Sequence, residues 1–331
     1  MQHITNMDRI LLSYGEGGKN TFKLIKELFL ESFRNPILEE LDDGALIDDF
    51  VFTTDSFVIT PIFFPNGDIG KLSIAGTVND IVSMGGEPLY ISSGFIIEEG
   101  LEFDILKKIV HSMKEISEKV PVKIVTGDTK VVEKGKCDKI FINTSGIGKK
   151  IINVSKNKIF PGDLLIINGC IAEHGISVIV ARNEFNIKSE IISDCNELWS
   201  TLKNIFKYDI KFMRDPTRGG IAATLNEIVS DKFGIEIWEE KIPIKESVKG
   251  ICEMLGFDPL SIANEGKMLI VSSRTDAEKI VEELKKYPDG KDAEIIGEIT
   301  EEHRGRVVEK TITGIKRIVD MPSGGNLPRI C

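Results

Sequence analysis

The sequence contains 331 residues, of which 41% are hydrophobic and 28% are charged, and its formal net charge is −10. This length is sufficient for two domains that each bury a core of their own. The negative charge disfavours nucleic acid or anionic lipid as the main ligand, but a phosphorylated small molecule is compatible with it because carboxylates can hold magnesium that in turn holds phosphate.

The beginning of the sequence has no apolar run followed by a small-residue cleavage site, and no long apolar stretch occurs elsewhere. We therefore expect a cytoplasmic protein that does not cross a membrane. The 5 cysteines are widely spaced without a CxxC pair, which disfavours a disulfide framework and a zinc site. With only 4 histidines, histidine-based metal catalysis is disfavoured as well.

Local patterns predict irregularly alternating helices and strands in the first half. After the glycine-rich residues 15–18, apolar residues recur at helical spacing until Asn35 and Pro36, which indicates an amphipathic helix. Strands are predicted over 50–60, 89–97, 122–125 and 139–147, helices over 71–84 and 103–119, and a Pro/Gly loop over 61–70. In the helix over 103–119, five apolar side chains are predicted to face inward: Leu106, Ile109, Val110, Met113 and Ile116.

The second half follows a polar segment at 155–158, which we interpret as a hinge. Strands are predicted over 164–167, 267–271, 295–299 and 307–308, and helices over 221–230 and 277–286. Because neither half has the regular βαβ period of a doubly wound sheet, we expect an α+β protein with two domains, residues 1–155 and 156–320. Residues 321–331 are rich in Pro and Gly, which predicts a flexible tail that carries Cys331.

Two glycine-rich segments are candidates for anion binding. In the first, Gly17, Gly18 and Lys19 precede a predicted helix, so they either present backbone N–H groups to a phosphate or form an ordinary lead-in to the helix. In the second, residues 214–220 (RDPTRGG) either bind an anion or cap the next helix through Asp215 or Thr217. Neither segment matches a P-loop or a Rossmann fingerprint.

Acidic residues of the first half are predicted to lie in loops and at strand ends, at Asp43, Asp55, Asp80 and Asp128. Mg²⁺ prefers hard oxygen ligands and commonly combines one or two carboxylates with nucleotide phosphates, so converging aspartates would suit Mg-ATP. Structural alternatives stay open. Asp42 can close a turn, Asp80 can face solvent on a helix, and Asp128 can form an Asx-turn.

Three further charged side chains fit the same chemistry. Lys71 and Lys130 either neutralise phosphate oxygens or remain solvated surface groups. Glu265, in the sequence Asn-Glu-Gly-Lys before a predicted strand, either acts as a general base from a loop or belongs to a simple turn.

Cys331 is an isolated thiol that is either incidental or the working group of the tail. A segment of about ten residues reaches at most roughly 33–36 Å, which is enough to enter a cleft of the same protein or to contact a partner. The adjacent α-carboxylate should oppose ionisation of the thiol, whereas Arg329 should favour it. We expect the thiol to need a bound partner or a base to become nucleophilic.

Several segments, in a shared order, carry a resemblance to a known family: GEGGK, DDGA, TTDSFVITPIFFPNGDIGKL, GTVNDI, SGFIIEEG, IVTGDTKVVEKG, DPTRGG, ANEGK and LPRIC. Together they resemble the HypE family of hydrogenase maturation carbamoyl dehydratases. This family lies in the PurM-like superfamily with aminoimidazole ribonucleotide synthetase and selenophosphate synthetase. The resemblance spans nearly the whole chain, but it assigns no role to residues 17–19 or to those between Gly169 and Lys211.

The resemblance implies a two-domain PurM-like α+β fold. Its N-terminal α/β domain would bind ATP and form a homodimer whose shared surface helps to build the nucleotide site. Mg²⁺ and ATP would be held by one set of side chains, namely Asp43, Asp55, Asp80 and Asp128, with Asn79 and Lys71 also contacting the nucleotide. Lys130 and Glu265 would lie near the reacting group, and we expect Glu265 to be the base and Lys130 to stabilise charge.

The resemblance also implies a reaction and its partners. The carbamoyltransferase HypF would load a carbamoyl group on the Cys331 sulfur as a thiocarbamate, which this chain would dehydrate with ATP to a thiocyanate. ATP is needed because an amide oxygen is a poor leaving group until it is phosphorylated. The cyanide would then pass to iron in the HypC-HypD assembly complex of [NiFe] hydrogenase maturation. Neither nucleic acid nor a membrane is an expected partner.

Two other classes of function remain open on the sequence alone. A relative with the same body could act on a free small molecule, as selenophosphate synthetase and thiamine-phosphate kinase do, and would not need Cys331. A non-catalytic carrier or scaffold could dock its tail on maturation partners, and would not need Asp80 or Asp128.

Overall fold

The computed structural model describes residues 9–323. Its strands are β1 (Ala45–Ile47), β2 (Phe50–Phe57), β3 (Phe63–Phe64), β4 (Gly67–Asp68), β5 (Gly86–Glu98), β6 (Lys123–Val132), β7 (Ile140–Lys150), β8 (Leu164–Ile167), β9 (Ile210–Arg214), β10 (Gly234–Trp238), β11 (Leu269–Ser272), β12 (Glu294–Thr300), β13 (Val307–Lys310) and β14 (Lys316–Ile318). Its α-helices are α1 (Lys19–Leu24), α2 (Glu31–Phe33), α3 (Ile69–Ser83), α4 (Phe103–Lys119), α5 (Glu173–Arg182), α6 (Trp199–Leu202), α7 (Gly220–Ile228), α8 (Glu246–Leu255) and α9 (Arg274–Leu284).

Short turns complete the helical structure. A π-helical turn, Ile25–Leu30, joins α1 to α2, so the predicted N-terminal helix is continuous from 19 to 33. The 3₁₀ turns are Leu12–Tyr14, Leu38–Glu40, Lys156–Lys158, Lys203–Ile205, Glu239–Lys241, Pro259–Ser261 and Pro288–Gly290.

Two mixed sheets organise the chain. The first has the order β1-β2-β7-β5-β6, in which β5 and β6 are parallel and the other neighbours are antiparallel. The second has the order β14-β13-β10-β12-β8-β11-β9, in which only the β10–β13 pair is parallel among the described strands. Both halves therefore mix helices with sheets, which confirms the predicted two-domain α+β fold. The exact domain boundaries remain a prediction.

Helix α3 is the element on which the site is built. All of its residues except Lys71 are buried, including the polar Asn79 and Asp80. A helix that is enclosed all round must have protein on every side. One face of α3 packs on β2, β5 and β7, and other residues contact α4, α6 and β9. The helix thus lies between the first sheet and elements of the second half.

Several predicted elements needed correction. The loop over 61–70 contains the β3–β4 strand pair. The unpredicted elements include the strands β1, β9, β10 and β14 and the helices α5, α6 and α8. Val110 of α4 is 47% exposed rather than inward-facing, because the buried stripe is formed by Ile109, Met113 and Ile116 alone. The hinge at 155–158 is a 3₁₀ turn whose start is capped by Ser155, and Lys156 forms an ion pair with Asp42 at 2.9 Å.

Three of the aspartates lie within regular elements rather than in loops or at strand ends, and for Asp55 and Asp80 this agrees with the predicted strand over 50–60 and helix over 71–84. Asp55 lies within β2, Asp80 within α3 and Asp128 within β6. Strand β6 continues through Gly127 to Val132 because it pairs with β5 along this length. Only Asp43 keeps its predicted loop position.

The predicted tail begins beside the N-terminal segment. Lys19 N donates to Pro322 O at 2.8 Å, and a Cβ atom at Gly18 would collide with the same carbonyl oxygen. Residues 324–331, including Cys331, lie outside the described residues. Across 9–323, no helix combines the length and the apolar character needed to cross a membrane.

Candidate active site

Strand β2 and helix α3 bring two of the predicted aspartates together. Along β2 the buried side chains of Val51, Thr53 and Phe57 alternate with exposed ones, and Asp55 is in phase with the buried set. On α3, Gly76 and Asp80 are four residues apart and therefore share one face of the helix. An ideal Cβ at Gly76 would lie 3.0 Å from the Phe57 ring and 3.8 Å from Asp55 Oδ2, so this glycine allows α3 to pack closely on β2 beside the carboxylate.

Hydrogen bonds tie the loop that carries Asp43 to the same place. The Thr53 hydroxyl oxygen lies 2.7 Å from Asp80 Oδ2 and 2.9 Å from the Asp43 carbonyl oxygen. Arg214 Nε donates to Asp43 Oδ1 at 2.8 Å, and the same guanidinium forms an ion pair with Glu227 at 3.2 Å. The Asp43 carboxylate is therefore held from the second half of the chain.

These carboxylates line one pocket of about 190 Å³. Both halves of the chain contribute to its wall, which is formed by Asp43, Asp55, Ser56, Phe57, Gly76, Asp80, Asp215, Thr217, Arg218 and Glu265. Among the groups that line it, five are acidic and one, Arg218, is basic. We call this cavity the carboxylate pocket.

The crowding of acidic groups changes their protonation. Burial raises the pKa of Asp80 well above its usual value, and the charges of Asp55 and Asp215 raise it further. Burial raises the pKa of Asp55 to about 6, although Arg218 opposes the change. Carboxyl groups in such surroundings favour the neutral form unless a cation enters the pocket.

Asp215 and Glu265 are affected in the same way. Burial is the main cause of the raised pKa of Asp215, to which the charges of Asp43 and Asp55 add. Burial also raises the pKa of Glu265 well above its usual value, with further contributions from Asp215 and Asp194. A raised pKa means that each of these carboxyl groups holds a proton more firmly than an ordinary surface carboxylate does.

The donor set of the carboxylate pocket fits a divalent cation that shares its coordination with a ligand. Within residues 9–323, no three His, Cys, Asp or Glu side chains are arranged to hold a metal ion by themselves. Mg²⁺, however, commonly takes only one or two carboxylates and completes its shell with water and phosphate oxygens. The buried, mutually repelling acids of the pocket fit that mode of binding.

Asp128 and Lys130 lie elsewhere in the single chain. Their side chains are 68% and 66% exposed on β6 and form an ion pair of 2.7 Å with each other. The hydrogen bond from Lys130 is the main reason that the pKa of Asp128 is lowered. The structure therefore does not bring these two predicted site residues into the carboxylate pocket of their own chain.

Lys71 and Asn79, the two other residues predicted to contact the nucleotide, do not line the carboxylate pocket. Lys71 Nζ donates to Asn66 O at 2.9 Å and lines a neighbouring cavity of about 270 Å³. Asn79 Nδ2 donates to Asn196 O at 3.0 Å, and Asn79 Oδ1 accepts from Leu198 N at 2.8 Å. The side chain of Asn79, in the first half of the chain, thus binds backbone groups of the second half.

Two charged residues of the carboxylate pocket come from the segment 214–220, which was a candidate for anion binding but was not expected to lie with the aspartates. Asp215 was considered as a helix cap, but α7 begins after Gly219, and Asp215 lines the pocket instead. Arg218 also lines it and donates to Gly15 O at 3.3 Å. The DPTRGG segment was the available signal, because it combines an acid, an arginine and a glycine pair before a helix.

Comparisons with known proteins agree with this architecture. Residues 41–149 match the N-terminal domain of AIR synthase related proteins, and residues 161–310 match the C-terminal domain of the same proteins. The fold and the pocket between its halves thus define an AIR synthase related, PurM-like protein. Carbamoyl dehydratase HypE of Escherichia coli (strain K12) is 42% identical over 340 residues, covering 98% of this chain and 100% of that protein.

Solved structures give the same result. The chain is similar to HypE in a HypE-HypF complex, with 48% identity, a TM-score of 0.86 and coverage of 90% of this chain and 99% of that one. It is also similar to the hydrogenase maturation protein HypE in complex with ATP, with 42% identity, a TM-score of 0.82 and coverage of 98% and 100%. The chain belongs to the HypE carbamoyl dehydratase family.

Proposed function

We propose that this chain uses ATP to dehydrate a carbamoyl group carried as a thiocarbamate on Cys331, giving a thiocyanate. The thiocyanate would supply the cyanide ligands of the iron centre during [NiFe] hydrogenase maturation. The observation that carries the proposal is the carboxylate pocket, which unites Asp55 and Asp80 with Glu265 in a chain of this family. A HypE bound to ATP supports the use of ATP.

The proposed reaction removes one water in two stages. The thiocarbamate oxygen attacks the γ-phosphorus of ATP and displaces ADP. The C–O bond then breaks, so that this oxygen leaves within inorganic phosphate. Two N–H protons are lost as the carbon–nitrogen bond becomes triple. Glu265 is the proposed proton acceptor, since it lines the pocket, where burial raises its pKa and so makes its carboxylate a stronger base than usual.

The acids of the carboxylate pocket are proposed to hold the triphosphate through Mg²⁺. Asp43, Asp55 and Asp80 would provide the ligands. Asp215 would assist in holding the cation, because its charge lies close enough to affect the pKa of Asp80. When bound, Mg²⁺ would neutralise charge on the phosphate oxygens. Arg218 would add a positive charge from the protein at the same place.

The size of the pocket favours a site that is completed by a second subunit. At about 190 Å³ it is smaller than the roughly 300–1,000 Å³ of pockets that enclose a drug-sized ligand. It has room for the phosphate end of a nucleotide and the reacting group. We propose that the chain forms a homodimer. The second subunit would contribute the rest of the nucleotide-binding site, including Asp128 and Lys130.

The surface of the first sheet supports such a dimer. Phe52, Ile147 and Tyr90 are in register across β2, β7 and β5, and they are 39%, 40% and 44% exposed. A row of apolar side chains on the open face of a sheet is typical of a surface that pairs with another protein. Asp128 and Lys130 lie on β6 at the edge of the same sheet.

Further partners are proposed from the relatives. A HypE-HypF complex supports loading of the carbamoyl group by the carbamoyltransferase HypF. We propose that the thiocyanate is then delivered to a HypC-HypD complex, where the cyanide binds iron.

The proposal is tested by the mass of the intact protein. The chain is incubated with a carbamoyl donor and HypF, first without and then with ATP and Mg²⁺. We expect one carbamoyl group on the wild-type chain, followed by the loss of one water when ATP is present. The Cys331→Ala variant should gain no carbamoyl group.

A second variant separates dehydration from loading. Asp80→Asn should accept the carbamoyl group and keep its full mass with ATP, because the pocket loses a ligand of the phosphate-bound cation. Asp104→Asn, on the exposed face of α4, is the matched control and should behave like the wild type. A carbamoyl mass that does not fall by one water with ATP in the wild type would overturn the proposed function.

A further inference from the structure

The backbone of Glu265 is held by one short segment, Asp194 to Asn196. Asp194 Oδ1 accepts a hydrogen bond from Glu265 N at 3.2 Å, and Asn196 N donates to Glu265 O at 3.3 Å. Glu265 lies in an irregular segment between a 3₁₀ turn and β11, where no helix or strand ladder satisfies its polar groups. Both of its backbone polar groups are therefore satisfied by the same neighbour.

The two segments are in direct backbone contact. A Cβ atom at Gly266 would collide with the carbonyl oxygen of Asp194, so only glycine permits this approach. The Asp194 side chain is 2% exposed, and its other oxygen, Oδ2, forms an ion pair with Lys267 Nζ at 3.2 Å. Asp194 thus contacts the residues on both sides of Gly266.

The same segment is attached at its other end to helix α3. Asn79, the neighbour of Asp80, binds Asn196 O and Leu198 N through its side-chain amide. The segment from Asp194 to Leu198 consequently connects the helix that carries Asp80 with the loop that carries Glu265. This connection is one of the contacts that join Asp80 and Glu265 across the two halves of the chain.

We propose that Asp194 is a positioning residue for Glu265, which it holds at the carboxylate pocket through the backbone N–H of Glu265. The inference rests on the proposed function, in which Glu265 is the base. Asp194 itself lines the neighbouring cavity and not the carboxylate pocket, so it acts on the reaction only through Glu265. A misplacement of a reacting group by about 1 Å can lower a rate by as much as 10²-fold.

Two substitutions test the role of the Asp194 carboxylate. Asp194→Ala removes the acceptor, and we expect the turnover of dehydration to fall roughly tenfold or more while the KM for ATP stays within about twofold. Asp194→Asn keeps an oxygen acceptor for Glu265 N and should recover most of the lost rate. Asp292→Ala is the matched control, since Asp292 lines the same neighbouring cavity but contacts the Cys170 thiol.

Hydrogen exchange gives a readout that does not depend on the reaction. The backbone amide of Glu265 should exchange roughly tenfold faster in Asp194→Ala than in the wild type, because its acceptor is lost. Asp194→Asn and Asp292→Ala should show the wild-type rate. If Asp194→Ala does not fold, Asp194→Leu replaces it, since leucine is similar in size to aspartate but has no acceptor.

The outcomes distinguish the two claims. An Asp194→Ala variant with wild-type turnover and wild-type exchange at Glu265 overturns the positioning role. Equal losses of turnover in Asp194→Ala and Asp194→Asn overturn it too, because the acceptor would then be irrelevant. A wild-type chain that shows no ATP-dependent loss of water overturns the proposed function, and exchange at Glu265 then decides alone whether Asp194 holds that residue.

Discussion

Asp80 and Asp128 carry the same carboxyl group into opposite surroundings. Asp80 is buried in α3, where burial and neighbouring acids raise its pKa. Asp128 lies on β6 with a 68% exposed side chain, where the hydrogen bond from Lys130 lowers its pKa. The comparison shows that one chain contains a buried acidic pocket and, apart from it, an exposed pair of charges that resembles an ordinary surface ion pair. Substitutions on each side measure how far the two regions depend on each other.

The largest effect is expected on the buried side, at Glu265. Glu265→Gln removes the proposed base, and dehydration should fall by roughly 10²–10⁴-fold, the usual contribution of general base catalysis. Loading of the carbamoyl group by HypF should continue, since Cys331 is the only residue of this chain proposed to accept that group. The measurement is the rate of water loss from the loaded protein by mass spectrometry.

The control for this variant is Glu236→Gln, on the interior strand β10 and outside the carboxylate pocket, where the glutamate is paired with Lys316. It should dehydrate at the wild-type rate. A Glu265→Gln variant that is equally active would place the base outside the carboxylate pocket.

The next effect is expected on the exposed side, at Lys130. Lys130→Met should lower dehydration roughly 10²-fold if its charge stabilises the reacting group. Mixing this variant with Glu265→Gln and allowing subunits to exchange should restore about a quarter of the wild-type activity. Half of the dimers are then mixed, and one of their two sites is complete.

This complementation decides whether the two regions meet between subunits. No recovery, with mixed dimers present by native mass spectrometry, would mean that Lys130 serves the pocket of its own chain. Ile147→Lys, which places a charge on the apolar face of the first sheet, should yield monomers and abolish recovery.

A smaller effect concerns the folding stability that is lost when a buried acidic side chain ionises. The pKa of Asp55 is raised from 3.8 to about 6 in the folded protein, so folding is favoured when this group is protonated. The contribution of Asp55 to stability is complete at low pH. As the pH rises from about 4 to about 6, this contribution is lost, and the free energy of unfolding falls by about 3 kcal/mol. Asp55→Asn should remove this loss. The measurement is the apparent free energy of unfolding in urea at several pH values, without nucleotide.

Asp128→Asn provides the opposite control in that titration. The lowered pKa of Asp128 favours folding when the group is ionised, so its removal should leave the fall in stability between about pH 4 and 6 in place. If Asp55→Asn loses as much stability as the wild type over that interval, Asp55 is not the group that titrates there.

Local patterns were sufficient for an amphipathic helix with a regular buried stripe and for a short strand of continuous apolar residues. Helix α4 has its predicted limits, and β8 was predicted residue for residue. Strand β6 was predicted too short because Gly127 and its polar neighbours are typical of a turn, whereas pairing with β5 keeps them extended. Val110 was misjudged because helical spacing gives the direction of a side chain but not the width of the surface that covers it.

The candidate site was also predictable only in part, because short motifs identify its acidic residues but not the contacts between distant segments. Asp43, Asp55, Asp80 and Glu265 were chosen from motifs, and the structure brings them to one pocket. The contribution of Asp215 and the attachment of Asp194 to Glu265 depend on contacts between segments far apart in the chain. No periodicity records such contacts. The separation of Asp128 from the pocket likewise follows from sheet order, which local sequence does not determine.

The smallest effect on the protein itself is expected for Asp128→Asn. An exposed ion pair contributes little to folding because water and salt screen it, so the Tm should change by no more than roughly 1 °C. Dehydration should nevertheless fall, because Asp128 would act only when a second subunit covers it. A calorimetric scan and the mass assay on the same sample measure both quantities. A variant that keeps full activity at an unchanged Tm would make Asp128 a surface residue with no part in the site, and the complete site would then have to be sought within one chain.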